Sequence, residues 1–348
     1  MKKIFISALY IAVAIAVLGC AKEAKVGPND ANKRFLDAWL KLNHPEVEPT
    51  GLGIYVLEDT EGTGKEVKKG GYAIVDFIST DLEGNIASYT DKQTAKQLGT
   101  YDTTKFYGAK VWTTTEETIQ AGLSEALTGM KVGGSKKVII PSWLMTYKLY
   151  DSAEDYLNPP TKKKDEEASS TGYDNTIYDL KVRDYVDNIY DWELAGIGDY
   201  LASEPELGLN VTDSLQFGFY YKQLQAPTDT TSFPKDTTIY INYTGKLLNG
   251  LVFDTTDEKT AKDNGLYSSA KSYAPVAVTW AEEYSEIKMG GSTIIGGFGL
   301  TLWQMRSFEK GVGIFYSPLG YSYSGSGASI PGYAPLIFEI EIVEKPEE

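Results

Sequence analysis

The chain has 348 residues, enough for two domains with cores of their own. Its 33 basic and 48 acidic side chains give a formal net charge of −15, which argues against nucleic acid as a partner. A single histidine and a single cysteine exclude a multi-histidine metal site and a disulfide within the chain, and no glycine motif for nucleotides is present. We therefore expect neither a metal nor a cofactor. The 25 tyrosines favour a strand-rich fold.

The first twenty residues, MKKIFISALYIAVAIAVLGC, have the layout of a bacterial secretory signal. Two lysines precede an apolar run that is shorter than the roughly 20 residues of a membrane-spanning helix. The ending VLGC resembles a lipobox, in which the signal is cut before the cysteine and the thiol is acylated. We predict a signal peptide over residues 1–19, lipidation of Cys20 and a lipid-anchored protein of the bacterial cell envelope. We place it in the outer membrane, facing the periplasm or the cell surface. The alternative is an ordinary secretory signal with a chance cysteine.

Two short helices are predicted, each before a strand-rich half of the chain. A polar tether and the first helix fill residues 20–52, because residues 33–43 place apolar side chains at helical spacing. Strand-like patterns begin at residue 53. The second helix, at 190–206, lies in a predicted linker over residues 184–215.

The two halves align as an internal repeat. Phe77 and Tyr243 match at an offset of 166 residues, and Gly122 and Gly297 match at an offset of 175. The difference of nine residues predicts an insertion within 257–274 of the second half. This is a two-copy duplication, since a solenoid needs at least three repeats. We call residues 53–183 the first module and residues 216–348 the second module.

The stretch 239–256, IYINYTGKLLNGLVFDTT, predicts a β-hairpin. Side chains alternate with a period of two, and Asn249-Gly250 supplies the left-handed positions of a tight turn. The second arm is apolar but ends in Asp254, directly after Phe253. Taken alone, this aspartate could simply cap a turn after a core residue.

Four separated motifs of the second module resemble those of FKBP-type peptidyl-prolyl cis-trans isomerases: YTGKLLNGLVFD, IIGGF, SPLGY and IPGYAPLIFEIEI. The resemblance spans about 216–345 and implies an α+β fold. The expected fold has two FKBP-like modules, each a curved antiparallel sheet wrapped around a short helix, with a helix preceding each module. It also implies that X-Pro-containing polypeptides bind in an apolar pocket, that macrolides are further ligands, and that no cofactor is needed.

The resemblance also implies which residues form the pocket. Tyr321 would donate its hydroxyl to the carbonyl before the proline, and Asp254 would fix Tyr243 by a hydrogen bond. Phe298 would form the floor, while Ser322 stands where the family favours glycine. The implied catalytic residues are Tyr243, Phe253, Asp254, Ile295, Phe298, Tyr321 and Phe338, and the implied substrate-binding residues are Val276, Ile294 and Ile330.

The first module lacks these side chains. At the positions of Phe253, Asp254, Ile295, Phe298 and Tyr321 it has Ala87, Ser88, Gln120, Leu123 and Thr146. We therefore interpret it as a degenerate, inactive copy that serves as a spacer, binding surface or folding partner.

Two functions remain open at this point. The first is a lipid-anchored isomerase that assists the folding of exported proteins. The second is a non-catalytic polypeptide-binding or scaffold lipoprotein that uses the FKBP fold only to grip its partner.

Overall fold

The computed structural model describes residues 29–160 and 174–347. The predicted signal peptide over 1–19 and the predicted lipidation site at Cys20 lie outside the described residues. Within the described ranges, none of the helices combines the length and the apolar character needed to traverse a bilayer.

Helices are few and short, and strands dominate both modules. The α-helices of the described residues are α1 (Asp30–Asn43), α2 (Lys92–Gln97), α3 (Ala121–Leu127), α4 (Ala153–Leu157), α5 (Ile189–Ser203), α6 (Glu258–Asp263) and α7 (Gly296–Gln304). The first-module strands are β1 (Tyr55–Thr60), β2 (Tyr72–Thr80), β3 (Ile86–Tyr89), β4 (Lys110–Thr113), β5 (Ser135–Ile140) and β6 (Thr176–Val186). The second-module strands are β7 (Phe219–Gln225), β8 (Thr238–Leu247), β9 (Val252–Thr255), β10 (Val276–Thr279), β11 (Lys288–Met289), β12 (Ser292–Thr293), β13 (Lys310–Phe315) and β14 (Leu336–Val343).

Each module is built on one antiparallel sheet. The six described strands of the first sheet pair with one another in the same way as six of the eight described strands of the second sheet. The first sheet has the order β1-β5-β6-β2-β3, with β4 also paired to β2. The second has the order β12-β11-β10-β8-β14-β13-β7, with β9 also paired to β8. The apolar faces of α3 and α7 pack into the separate cores of the two sheets. This architecture confirms the predicted fold class of two FKBP-like α+β modules.

The strand register supports the duplication residue by residue. Ser79 pairs with Ser88 in the first sheet, and Gly245 pairs with Asp254 in the second, 166 residues later in both strands. A β-bulge follows at the same place in each hairpin. Since a bulge is a specific local irregularity, its repetition shows that the two hairpins are built alike.

The register also corrects the predicted position of the insertion. Lys110 pairs with Val75, and Val276 pairs with Ile241, so the offset of 166 persists through β10. The placement of the nine extra residues within 257–274 is therefore wrong. They fall after Val276, where the β11–β12 hairpin has no counterpart in the first sheet.

The turn of the predicted hairpin is longer than expected. Of its central pair only Gly250 is left-handed, with φ of +84°, while Asn249 is not. Asn249 instead accepts the Leu251 N–H on its side-chain oxygen at 3.1 Å. With four residues between β8 and β9, a second left-handed residue is not required.

A helix precedes each sheet, as predicted. The helix α1 buries Leu36 and Leu40 in the core of the first module. The helix α5 buries Ile197 and Leu201 in a third apolar cluster, which includes Ile337 of β14. The linker helix is therefore packed against the second sheet.

Candidate active site

A cavity of about 410 Å³ opens in the second module beside the N-terminal end of α7. Its size falls in the range of ligand pockets that hold small molecules or single side chains. Nine of the ten residues implied by the family resemblance line it: Tyr243, Phe253, Asp254, Ile294, Ile295, Phe298, Tyr321, Ile330 and Phe338. The tenth, Val276, is not among the lining residues and lies on β10 opposite Ile241.

Aromatic rings form the floor and walls of this cavity. Phe338 is central, with its ring centroid 4.9 Å from that of Phe298 and 5.5 Å from that of Phe253, both edge to face. Tyr243 meets Phe298 edge to face at 5.4 Å. Such edge contacts hold rings at defined angles. The rings therefore give the cavity an apolar floor of defined shape.

A glycine on β8 makes this ring arrangement possible. A Cβ atom at Gly245 would lie 2.5 Å from Phe253 and 2.9 Å from Phe338. The corresponding residue of the first module is Ser79, and there the bulge carries Ala87 instead of a ring. In the first module both positions therefore carry small residues.

The Asp254 carboxylate is held by three donors. Its Oδ2 accepts the Tyr243 hydroxyl at 2.5 Å. Its Oδ1 accepts Lys271 Nζ at 2.6 Å and the Thr255 N–H at 2.9 Å. Both oxygens are therefore engaged, and the carboxylate acts as a fixed acceptor.

Lys271 does not line the cavity but contacts Asp254, and the sequence reasoning missed it. It also donates to the Thr255 carbonyl at 3.1 Å, so its ammonium group bridges two points of β9. No motif or periodicity marks this lysine, because it lies in a loop 17 residues after its partner Asp254.

The two tyrosines of the cavity differ in their hydrogen bonding. Tyr243 donates to Asp254, and burial together with that bond raises its pKa above the ordinary value. Tyr321 has no hydrogen-bond partner for its hydroxyl among the described residues. Burial and the nearby charge of Asp254 raise the Tyr321 pKa, so this hydroxyl stays protonated at neutral pH. Tyr321 is thus a donor available to a ligand.

The loop that follows Tyr321 adopts a conformation that explains the family's glycine. Ser322 has φ of +52°, in the left-handed region that glycine adopts most readily. Its N–H donates to the Ser317 carbonyl at 2.8 Å, and its carbonyl accepts the Tyr333 N–H at 2.8 Å. These two bonds hold the left-handed serine in place.

A buried acid of the linker helix anchors the start of this loop. Glu193, on α5, is 1% exposed. It accepts the Ser317 N–H at 2.6 Å and the Ser317 hydroxyl at 2.7 Å. Burial raises the pKa of Glu193 to about 7. The sequence reasoning placed this residue on a helix but assigned it no role.

The inserted hairpin supplies further lining residues that were not anticipated. Met289 on β11 and Ser292 and Thr293 on β12 line the cavity. Their position in the chain could not be read as part of the site, because the first module has no equivalent hairpin.

The first module does not reproduce this arrangement. Phe77, the counterpart of Tyr243, has no hydroxyl, and its ring packs against Trp112 at 4.9 Å. Ala87 and Ser88 occupy the β3 positions of Phe253 and Asp254. The isomerase-like set of side chains is therefore confined to the second module.

Comparison with known proteins agrees with this geometry. A sequence profile described as "FKBP-type peptidyl-prolyl cis-trans isomerase" matches residues 230–343. The chain is 32% identical over 136 residues to "FK506-binding protein 2" of Dictyostelium discoideum, covering 39% of this chain and 84% of that protein. It is 29% identical over 147 residues to the "Probable FKBP-type peptidyl-prolyl cis-trans isomerase" of Haemophilus influenzae, covering 42% of this chain and 50% of the relative.

The chain belongs to the FKBP-type peptidyl-prolyl cis-trans isomerases. The residues matched by the family profile, 230–343, all lie in the second module, which also holds the ring-lined cavity. Among solved structures, Escherichia coli FkpA aligns at 16% identity with a TM-score of 0.29, covering 53% of this chain and 71% of FkpA. The three FKBP domains of wheat FKBP73 align at 13% identity with a TM-score of 0.28, covering 83% of this chain and 93% of the wheat chain.

Proposed function

We propose that the second module carries the isomerase activity and that its substrates are X-Pro segments of polypeptides. The observation that carries this proposal is the Tyr321 hydroxyl, an unpartnered donor among the described residues at the edge of a ring-lined cavity. The rings offer an apolar surface to the proline, and Tyr321 offers a hydrogen bond to the carbonyl before it. The same cavity is the proposed site for macrolide ligands.

Isomerisation of an X-Pro bond breaks no covalent bond. The obstacle is the partial double-bond character of the amide, a barrier of about 18–20 kcal/mol, which makes the uncatalysed step take tens of seconds or more. A rotated amide has lost this resonance and is less dipolar than the planar form. An apolar pocket with preplaced donors therefore stabilises the rotated state relative to the planar one. Each ~1.4 kcal/mol of that preference accelerates the reaction about tenfold.

In this mechanism Asp254 is a positioning residue and moves no proton. Its two oxygens already accept bonds from Tyr243, Lys271 and the Thr255 N–H. By holding the Tyr243 hydroxyl, it fixes the ring that packs on Phe298. The cavity then keeps its shape while the substrate rotates.

We further propose that Cys20 is lipidated and that the enzyme assists the folding of exported proteins at the cell envelope. The support is the VLGC ending of an apolar N-terminal stretch and the polar residues that follow it. Replacing Cys20 by Ser should abolish incorporation of a labelled fatty acid in a bacterial host and release the protein from the membrane fraction. Incorporation that persists in the Cys20→Ser variant would contradict the anchor.

A protease-coupled proline isomerisation assay tests the activity. The full chain should accelerate the reaction of a proline-containing tetrapeptide, while Asp254→Ala and Tyr321→Phe should be slower by about tenfold. Asp199→Ala, which removes an exposed aspartate on α5 outside the cavity, is the control and should leave the rate unchanged. If wild type and both second-module variants all run at the uncatalysed rate while the tetrapeptide still binds, the second module is a binding module only.

A further inference from the structure

A second cavity, of about 460 Å³, lies between the two modules, and we call it the inter-module groove. Ala87, Ser88 and Lys110 belong to its first-module wall, and residues of the 323–332 segment form its second-module wall. Ile330 lines both this groove and the candidate active site. Ile330 therefore lies at the boundary between the two cavities.

Direct contacts between the modules set the shape of the groove. The Phe106 N–H donates to the Ala328 carbonyl at 2.9 Å, and the Phe106 ring packs against the core of the second module. The rings of Tyr72 and Tyr333 meet edge to face at 5.5 Å. The first module is therefore docked beside the loop that carries Ile330.

Two residues of the first-module wall, Ala87 and Ser88, are counterparts of residues that line the candidate active site. By strand register, Ala87 and Ser88 stand where the second module has Phe253 and Asp254. Lys110 stands at the position of Val276. A ring and an acid have been replaced by small residues, and an apolar side chain by a cation. Such a wall favours an extended acidic segment over a proline ring.

Two lysines that line the groove have few or no carboxylates close to their ammonium groups in the described part of the chain. Lys110 places its ammonium group 5.8 Å from the ring centre of Phe77 and has no carboxylate within 4.0 Å among the described residues. Lys105 has only a 3.9 Å contact with Asp102, whose carboxylate also accepts the Thr104 N–H. Both ammonium groups are therefore available to an anionic ligand.

Further positive charge lies beside the groove. Lys92 and Lys96 of α2 each lie 5.3 Å from the ring centre of Tyr101. Tyr101 packs on Tyr107, a lining residue, with ring centroids 5.5 Å apart. Four lysines thus gather at one face of a protein whose net charge is −15.

We propose that the inter-module groove binds an acidic stretch of the polypeptide whose proline occupies the candidate active site. The first module then serves as a specificity element, selecting prolines that have Asp or Glu nearby in the chain. This inference deepens the proposed function, on which it rests for the placement of the proline. The acidic stretch is recognised by the lysines and by the hydroxyl of Tyr323, a residue that is 72% exposed.

Fluorescence anisotropy with matched peptides tests the proposal on the full chain. A proline-containing tetrapeptide is extended, at either end, by a short run of Glu or by Gln of the same length. At low salt the Glu extension at one of the two ends should bind about threefold more tightly than its Gln counterpart, and the ratio should fall towards one as salt is added. Lys110→Glu and Lys105→Glu should each bring the Glu/Gln ratio to one or below. Lys41→Glu, an exposed charge reversal on α1 away from the groove, should keep the wild-type ratio.

Equal binding of the Glu and Gln peptides at both ends would overturn the groove proposal. A preference for the Glu peptide that persists in both Lys110→Glu and Lys105→Glu would also overturn it. The same holds if Lys41→Glu loses the preference to the same extent as the groove variants. The unextended tetrapeptide separates this failure from that of the proposed function. If it is isomerised but no Glu preference exists, only the groove proposal falls. If it is not isomerised but the Lys110-dependent Glu preference persists, the groove proposal stands and the catalytic one falls.

Discussion

The Tyr243 hydroxyl donates a 2.5 Å hydrogen bond to Asp254, and this bond determines which tyrosine of the cavity can serve a ligand. With Tyr243 committed, Tyr321 is left with a hydroxyl that has no partner in the described part of the chain. The Tyr243 hydroxyl is therefore held by Asp254, whereas the Tyr321 hydroxyl has no such acceptor among the described residues.

The first prediction separates these two tyrosines. Tyr321→Phe should lower kcat/KM about tenfold with little change in stability, because the lost hydroxyl has no partner within the described residues. Tyr243→Phe should instead reduce the free energy of unfolding by about 1 kcal/mol, because it leaves an Asp254 oxygen without its donor. Isomerisation kinetics and urea unfolding of both variants check this. An equal loss of kcat/KM in both variants, at equal stability, would contradict the division of roles.

The second prediction concerns Lys271. Its side chain and that of Asp254 are both about two-fifths exposed, so water screens their ion pair. Lys271→Gln should therefore lower kcat/KM only about two- to threefold, and added salt should reduce the difference from wild type. Lys259→Gln, which removes an exposed ion pair with Asp263 on α6, should have no effect on the rate. A loss as large as that of Asp254→Ala would show that the ammonium group itself contacts the substrate.

The third prediction tests the close packing over Gly245. Gly245→Ala should reduce the free energy of unfolding by about 1–3 kcal/mol, because its Cβ would lie 2.5 Å from Phe253. Adding Phe253→Ala should recover part of that stability without restoring activity. Gly196→Ala is a useful contrast, since the nearest atom to its Cβ would be 3.7 Å away and alanine favours the interior of α5. Thermal unfolding of the four proteins measures these effects, and an unperturbed Gly245→Ala variant would refute the packing argument.

The fourth prediction is a pH dependence that originates at Glu193. Burial raises its pKa to about 7 in the folded state, above its ordinary value of 4.5. Between these two values the folded chain holds a proton that the unfolded chain has released. The contribution of Glu193 to the free energy of unfolding is therefore fully present below pH ~4.5 and is lost as the pH rises through 7. This contribution is on the order of 3 kcal/mol. Glu193→Gln should flatten this part of the profile while keeping an acceptor for the Ser317 N–H.

Urea unfolding at several pH values between 4.5 and 8 measures this slope. Glu154→Gln, an exposed acid on α4, is the matched control and should leave the slope as it is in wild type. A Glu193→Gln variant with the wild-type slope would show that the acid is not the group responsible.

Local patterns of the chain were sufficient for most of the fold, and the resemblance to the FKBP family supplied the ring-lined part of the site. Alternation along β8 and β14 identifies strands, and helical spacing identifies α1 and α7, because burial of one face imposes these periods. Nine of the ten implied pocket residues meet in one cavity, and all nine lie in the four motifs that carry the family resemblance. The bounds of the domains and the roles of the individual side chains remain predictions.

Tertiary structure decided the partners that lie far apart along the chain. Lys271 meets Asp254 across 17 residues, and Glu193 meets Ser317 across 124. The β11–β12 hairpin and the groove beside Lys110 likewise depend on how separate segments are brought together. Periodicity predicts whether a side chain is buried or exposed, but it does not predict which distant group forms an ion pair or hydrogen bond with it. That information exists only once the chain has folded and loops without regular patterns have been placed.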